Sequence, residues 1–222
     1  MSVNDNFEVT FCGNGGSTAR EIHDRLNAAN LLALNLIGAS GCGKTELIQR
    51  TVTMSSDRPS HHRCAVLVSE PHSAHDAERL ARCAETAPVS VGNRCHLAAP
   101  AVALGLDRLN LHHLSVLFIE NTGGMACSVQ EDLGEHLRVV LLSLPEGENK
   151  LMKYPALFRT ADAVLLTKID LQSTIPFDVE CTRRHLSQLG SRAPLFTVSA
   201  LTGQGMDDWC SWLEMCRNNL LL

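Results

Sequence analysis

Aromatic residues are scarce, at 4% of 222 residues, while hydrophobic residues overall reach 45%. A core must therefore be built mainly from Leu, Val, Ile and Ala, and there is enough apolar material for one full globular domain. An excess of positive charge is also missing: 19 Lys and Arg face 24 Asp and Glu, a net charge of −5 with His neutral. With no basic surplus to neutralise phosphates, nucleic acid is not expected as a partner. No apolar run reaches the length of a membrane span, so no membrane association is expected either. The opening MSVNDNFEVT has neither a basic n-region nor an apolar h-region, so no secretory signal is expected and the compartment reads as cytoplasmic. Internal repeats and low-complexity tracts are absent.

Cysteine, by contrast, is abundant: there are nine, beside ten histidines. In a reducing compartment structural disulfides are not expected. Most free cysteines serve as small buried hydrophobes, and metal binding is the alternative that the histidines leave open.

Residues 19–29 read as a helix, with Ile22 and Leu26 four apart on one face. Apolar runs at 31–37, 64–69, 88–91, 114–119, 137–144, 161–166 and 195–198 read as strands. Helical stretches at 45–54, 76–86, 98–106 and 205–217 lie between or after them. Residues 55–63 read as an exposed loop. Strands that are continuously apolar belong to a sheet buried on both faces. Their alternation with helices predicts an α/β domain of the P-loop NTPase kind, with a doubly wound, mainly parallel sheet flanked by helices. Residues 1–30 are expected as an N-terminal helical extension and 31–222 as the nucleotide-hydrolysing domain.

The strand at 31–37 runs into GASGCGKT, in which Gly38, Gly43, Lys44 and Thr45 fit G-x-x-x-x-G-K-S/T. Glycines let the backbone curl so that successive N–H groups, here of Ser40, Gly41, Cys42 and Gly43, face phosphate oxygens. Lys44 reaches the β- and γ-phosphates, the Thr45 hydroxyl binds Mg²⁺, and the following helix offers its positive end to the same anion. Cys42 is tolerated because the loop works through its backbone; a redox-sensitive loop is the alternative. Further on, Thr167-Lys168-Ile169-Asp170 approximates the guanine motif N-K-x-D. The Asp170 carboxylate would accept two hydrogen bonds from the base edge and the Lys168 stem would pack on the ring; adenine has no matching pair of donors. Ser199-Ala200-Leu201 follows the next strand, where a backbone N–H meets the guanine carbonyl. Thr167 stands in place of Asn, and the expectation is that an amide brace for the loop is lost. The nucleotide is thus expected to be GTP or GDP.

With these motifs in place, the chain resembles the HypB family, the nickel-insertion GTPases of nickel–iron hydrogenase maturation, within the dimerising P-loop GTPases. The resemblance covers about residues 31–213 and rests on DAERL (76–80), CHL (95–97), FIEN (118–121), DLGE (132–135), EGE (146–148), KYP (153–155) and VSALTG (198–203), in that order. A related urease GTPase family carries Cys-Pro-His, which is absent here. The resemblance implies a GTPase, slow in turnover, with Lys44, Glu70 and Glu120 as its catalytic residues. Glu120 opens the segment that senses the γ-phosphate, and the Gly123 N–H would meet that phosphate. Glu70, where the family typically has Asp, falls to the magnesium or attacking-water region. Magnesium would be held by Thr45, Glu70 and Glu120.

Cys95, His96 and Cys127 are a poor zinc signature by spacing, compared with paired C-x-x-C motifs. The resemblance, not the spacing, implies that they bind Ni²⁺ or Zn²⁺ where two subunits meet. It further implies a GTP-promoted homodimer, a partner nickel metallochaperone and the hydrogenase large subunit as client. The N-terminus has only Cys12, so a high-affinity N-terminal nickel site is not expected. His61, His62 and Cys64 read as a loop entering a strand, and His112 and His113 as a polar turn. Two other readings stay open: a metal-sensing or scaffold protein that binds nucleotide with little hydrolysis, and a metal-delivery GTPase for another metalloenzyme.

Overall fold

The apolar run ahead of the glycine loop forms β1 (Leu32–Ile37), every residue of it buried, and this strand is the middle one of seven. The computed structural model describes residues 16–56, 62–70, 74–92, 96–121, 125, 129 and 131–221, apart from the side chains of 70 and 74–76. Around β1 lie β2 (Cys64–Glu70), β3 (Glu85–Ser90), β4 (Val116–Asn121), β5 (Leu137–Ser143), β6 (Ala163–Thr167) and β7 (Leu195–Val198). Their order is β3-β2-β4-β1-β5-β6-β7, and every pairing is parallel. The chain winds outward from β1 to β3, returns to β4, then proceeds to β7. β1 therefore sits where the winding reverses, the place at which such sheets bind ligands beyond their carboxyl ends.

Alternate side chains of each strand enter opposite layers, as the two-residue strand period requires. Leu32, Leu34 and Leu36 pack with Leu47, Ile48 and Val52 of α2 (Lys44–Ser56) and with Trp209 and Leu213 of α8 (Met206–Asn219). Ala33 and Leu31 pack on the other face with Ile22 and Leu26 of α1 (Ser17–Ala28) and Val102 and Leu106 of α4 (Ala99–Leu106). α5 (Lys150–Lys153), α6 (Pro155–Arg159) and α7 (Val179–Gln188) cover Val140, Leu142, Val164 and Leu166. Three of the nine aromatics cluster: Trp209 and Trp212 stack at 5.4 Å, Phe196 packs against both, and Trp209 Nε1 donates to Thr51 Oγ1 at 2.9 Å. This cluster fastens α8 to α2 and β7.

Two differences from the sequence reading have physical causes. The helix expected at 76–86 is α3 (Ala74–Ala81) and stops there, because Glu85 and Thr86 join β3 and pair with Ala65 and Val66. β3 is an edge strand that buries alternate residues, so it tolerates Pro88, which brings no ladder donor. α7 was not expected. Its apolar face is thin, with only Thr182 and Leu186 buried, and its start is set by Asp178, whose side chain accepts from the Cys181 N–H. The His112–His113 pair lies in a short 3₁₀ turn before β4, as the polar-turn reading has it.

Candidate nucleotide and metal sites

The glycine loop leaves β1 and turns directly into α2, which begins at Lys44. Gly41 and Gly43 adopt φ of 74° and 98°, which a side chain would strain. Glycine turns of this kind let successive main-chain N–H groups cradle an anion. Lys44 is buried, and its Nζ donates to Gly38 O at 2.8 Å and Ala39 O at 3.1 Å, so the ammonium lies across the mouth of the loop. Cys42 points inward among the core residues under the sheet. Burial pushes its thiol above the ordinary value. A redox-sensitive thiol needs the reverse, so the redox reading of this loop is not supported.

Thr45 and Glu120 meet: Thr45 Oγ1 donates to Glu120 Oε1 at 2.6 Å. Glu120 is the next-to-last residue of β4, beside Leu36 of β1, and is fully buried, with its main-chain oxygen accepting from Ser69 Oγ at 2.8 Å. A hydroxyl and a carboxylate beside a lysine and a ring of amides are hard oxygen donors next to a phosphate cradle, which fits a magnesium–nucleotide complex. The main chain of Glu70 ends β2, paired with Ser90. The Glu70 side chain and Gly123 lie outside the described residues.

The base-recognition residues close the same cleft, a cavity of about 620 Å³ lined by the glycine loop, Glu120, Thr167, Lys168, Asp170, Ala200 and Leu201. Lys168 takes a left-handed conformation at φ 61°, and Asp170 follows in a 3₁₀ turn. Ser199 Oγ donates to Asp170 Oδ1 at 2.6 Å and accepts from the Thr202 N–H at 3.2 Å, tying the TKID and SAL segments together. Thr167 corrects one expectation. Its hydroxyl donates to Cys42 O at 2.7 Å in a buried contact, so the loop is braced against the phosphate cradle without an amide.

Sequence reasoning gave no role to Arg79 or Glu46, yet both line the cleft. Arg79 of α3 pairs with Glu46 and donates to Gln49 Oε1 at 2.8 Å, both on α2. Arg79 lay within a stretch that carried the resemblance, but its target is more than 30 residues away and no spacing rule points to it.

Outside this cleft, His96 Nε2 lies 3.3 Å from Glu131 Oε2. Cys95 precedes His96 directly, and Cys127 stands four residues before Glu131; both cysteines lie outside the described residues. Among the described residues no three or more His, Cys, Asp or Glu surround a common point. Imidazole with thiolates is a donor set suited to Zn²⁺ or Ni²⁺. Behind this contact, Arg138 of β5 donates to Val129 O at 3.3 Å and Glu131 O at 2.9 Å, and its Nε pairs with Glu135 at 2.8 Å. Glu135 in turn accepts from Asn35 Nδ2 on β1 at 3.1 Å. Cys64, Cys210 and Cys216 are buried core residues, and burial pushes the thiols of Cys64 and Cys216 up to about 12. No helix among the described residues is long and apolar enough to cross a membrane.

The sequence signature of the CobW/HypB/UreG nucleotide-binding domain matches residues 32–197. The hydrogenase maturation factor HypB of Azotobacter vinelandii is 36% identical over 215 residues, covering 96% of this chain and 70% of that protein. The crystal structure of HypB from Archaeoglobus fulgidus superposes with a TM-score of 0.83 at 30% identity, covering 90% of this chain and 97% of the other. HypB from Helicobacter pylori in complex with nickel also gives 0.83, at 29% identity, with 91% and 94% covered. This chain therefore belongs to the HypB hydrogenase maturation factors, within the CobW/HypB/UreG nucleotide-binding domain family.

Proposed function

We propose that the chain is a cytoplasmic GTPase that converts GTP to GDP and phosphate and uses the cycle to deliver nickel during hydrogenase maturation. Water attacks the γ-phosphorus in line, and the protein contributes positioning and charge stabilisation. Lys44 and the amides of the glycine loop hold the phosphates. Thr45, Glu120 and Glu70 are the residues that would hold Mg²⁺, which supplies positive charge to the β- and γ-oxygens. Asp170 and the SAL segment select guanine. Cys95, His96 and Cys127 carry Ni²⁺ or Zn²⁺ as cargo, between the two chains of a GTP-promoted homodimer. A nickel metallochaperone hands the metal over, and the hydrogenase large subunit receives it. Nickel is present in the similar Helicobacter pylori protein.

The observation that carries this reading is the continuity of the two sites. Glu120, in contact with Thr45, and Glu131, in contact with His96, are eleven positions apart on one stretch of chain. A triphosphate that draws on Glu120 therefore pulls on the segment that holds the metal residues. Nickel affinity measured in the GDP and GTP-analogue forms tests the coupling, with a difference of at least several-fold expected; equal affinities would sink it. Single-turnover hydrolysis at high protein concentration, lost in Lys44→Ala, tests the GTPase assignment.

A further inference from the structure

We propose that Arg79 is a specificity-determining residue of the nucleotide cleft: by balancing Glu46 it sets the charge of the phosphate end, and so governs how well the cleft holds a triphosphate relative to a diphosphate. The inference rests on the nucleotide reading above and adds a residue to it.

Glu46 stands at an awkward place for an anion site. It lies in the first turn of α2, directly after Lys44 and Thr45. The N-terminal end of a helix carries partial positive charge, which is what draws a phosphate to it. A carboxylate in that turn cancels part of the attraction. Glu46 lines the same cavity as the glycine loop, so its charge borders the space that the phosphates would enter.

Arg79 offsets that charge from a different element. Its Nη2 donates to Glu46 Oε2 and, at 2.8 Å, to Gln49 Oε1 further along α2. Leu80, the next residue of α3, is fully buried in one cluster with Leu47 and Ile48 of α2. α3 is therefore anchored, and the guanidinium is held where it lines the cavity too.

The charged residues around the cavity fall into two sets. Lys168 and Asp170 belong to the base segment, while Lys44 and Arg79 oppose Glu46 and Glu120 around the glycine loop. With Arg79 the phosphate end is neutral; without it, a negative charge is left over. A magnesium triphosphate carries about twice the net negative charge of a magnesium diphosphate, so a leftover charge weighs about twice as much on its free energy of binding. The side chains of Arg79 and Glu46 keep 30% and 45% of their surface exposed, so water screens the effect. A unit charge at about 7 Å in a water-like dielectric changes affinity roughly 3-fold per unit of ligand charge.

Affinities for a non-hydrolysable GTP analogue and for GDP, each with magnesium at low salt, provide the test. Arg79→Ala is expected to weaken the analogue roughly 10-fold and GDP roughly 3-fold. Glu46→Gln should shift both in the opposite sense, the analogue again by more. The double variant Arg79→Ala, Glu46→Gln should return close to wild type, and Arg79→Lys, which keeps the charge, should stay close to it. All these differences should shrink at about 1 M salt. A merely structural role for Arg79 would weaken both nucleotides alike and would not be repaired by removing Glu46. That pattern overturns the inference, as does wild-type selectivity in Arg79→Ala. Glu46→Gln reads the same charge with Arg79 in place, should Arg79→Ala fail to fold; equal shifts for the two nucleotides, or none, overturn the inference there. If the wild type binds neither guanine nucleotide, the nucleotide reading itself falls. If it binds both and the variants keep its selectivity, only the role of Arg79 falls.

Discussion

Thr167 shows how one side chain can do another's work. The guanine motif has an amide at this position, but the hydroxyl reaches the carbonyl of Cys42, 125 residues earlier in sequence. No sequence pattern could have shown this, because the bond depends on β6 lying close to the glycine loop across β5. The glycine loop itself was legible, because its chemistry depends on consecutive residues and on φ values that glycine alone adopts freely. Thr167→Val keeps the shape and removes the bond. A buried neutral hydrogen bond contributes about 1 kcal/mol, so GDP affinity is expected to fall roughly 5-fold, measured by fluorescent nucleotide titration. Asp170→Asn tests the base itself. Its carboxylate accepts from Ser199 Oγ, and in the reading proposed above it would also accept from the ring N–H and amino group of guanine. An amide turns one of those acceptors into a donor, which matches the 2-oxo group of xanthine. GTP affinity should drop on the order of 100-fold, as the loss of charged hydrogen bonds implies, while xanthosine triphosphate binding improves. Unchanged preference for GTP would remove Asp170 from base recognition.

At the scale of elements, what could be read from sequence was what repeats. Apolar runs marked six of the seven strands and part of β3, and Ile22 and Leu26 marked α1. α7 was hidden because most of its contact surface is polar, and β3 was read too short because an edge strand shows only alternate burial. The docking of α1 was hidden for another reason: it depends on a glycine in a distant turn. Gly134 has φ 80°, and a Cβ there would come within 2.5 Å of Ala19 O and 2.7 Å of Ile22 Cβ. His23 Nδ1 contacts Gly134 O at 3.3 Å on the same surface. Gly134→Ala must therefore both strain the backbone, at about 1–2 kcal/mol, and push α1 away from the sheet. The urea midpoint is expected to fall by an amount equivalent to roughly 2–4 kcal/mol, with an unchanged slope, since the cost falls on the folded state. A variant as stable as wild type would show that α1 is not seated on this turn.

Across the whole molecule, α1, β1 and β5 are pinned at one buried point, and that point is sensitive to pH. His136 is 1% exposed; its Nδ1 accepts from the Ala33 N–H at 3.0 Å and its Nε2 donates to Asn27 Oδ1 at 3.1 Å. Both ring nitrogens are thus engaged in the neutral tautomer. Burial, with His23 4.7 Å away and tilted by 47° as a second cause, lowers its pKa to about 3. An unfolded histidine titrates near 6.5, so between pH 6.5 and about 3 the unfolded chain holds a proton that the folded chain refuses. Stability from this group is complete above pH 6.5 and is lost as pH falls. Asp162 acts in the opposite sense: burial raises its carboxyl to about 6, so the folded state takes up a proton below that pH and gains stability. The net pH profile of the wild type is therefore shallower than His136 alone would make it, and a comparison of variants isolates the histidine. His136→Asn keeps an acceptor for Ala33 but cannot be protonated. The stability advantage of wild type over this variant should shrink by about 2 kcal/mol between pH 7 and pH 5, read from urea unfolding at each pH. A constant difference across that range would mean that His136 is not held neutral. The seam between α1, β1 and β5 would then owe its stability to packing alone.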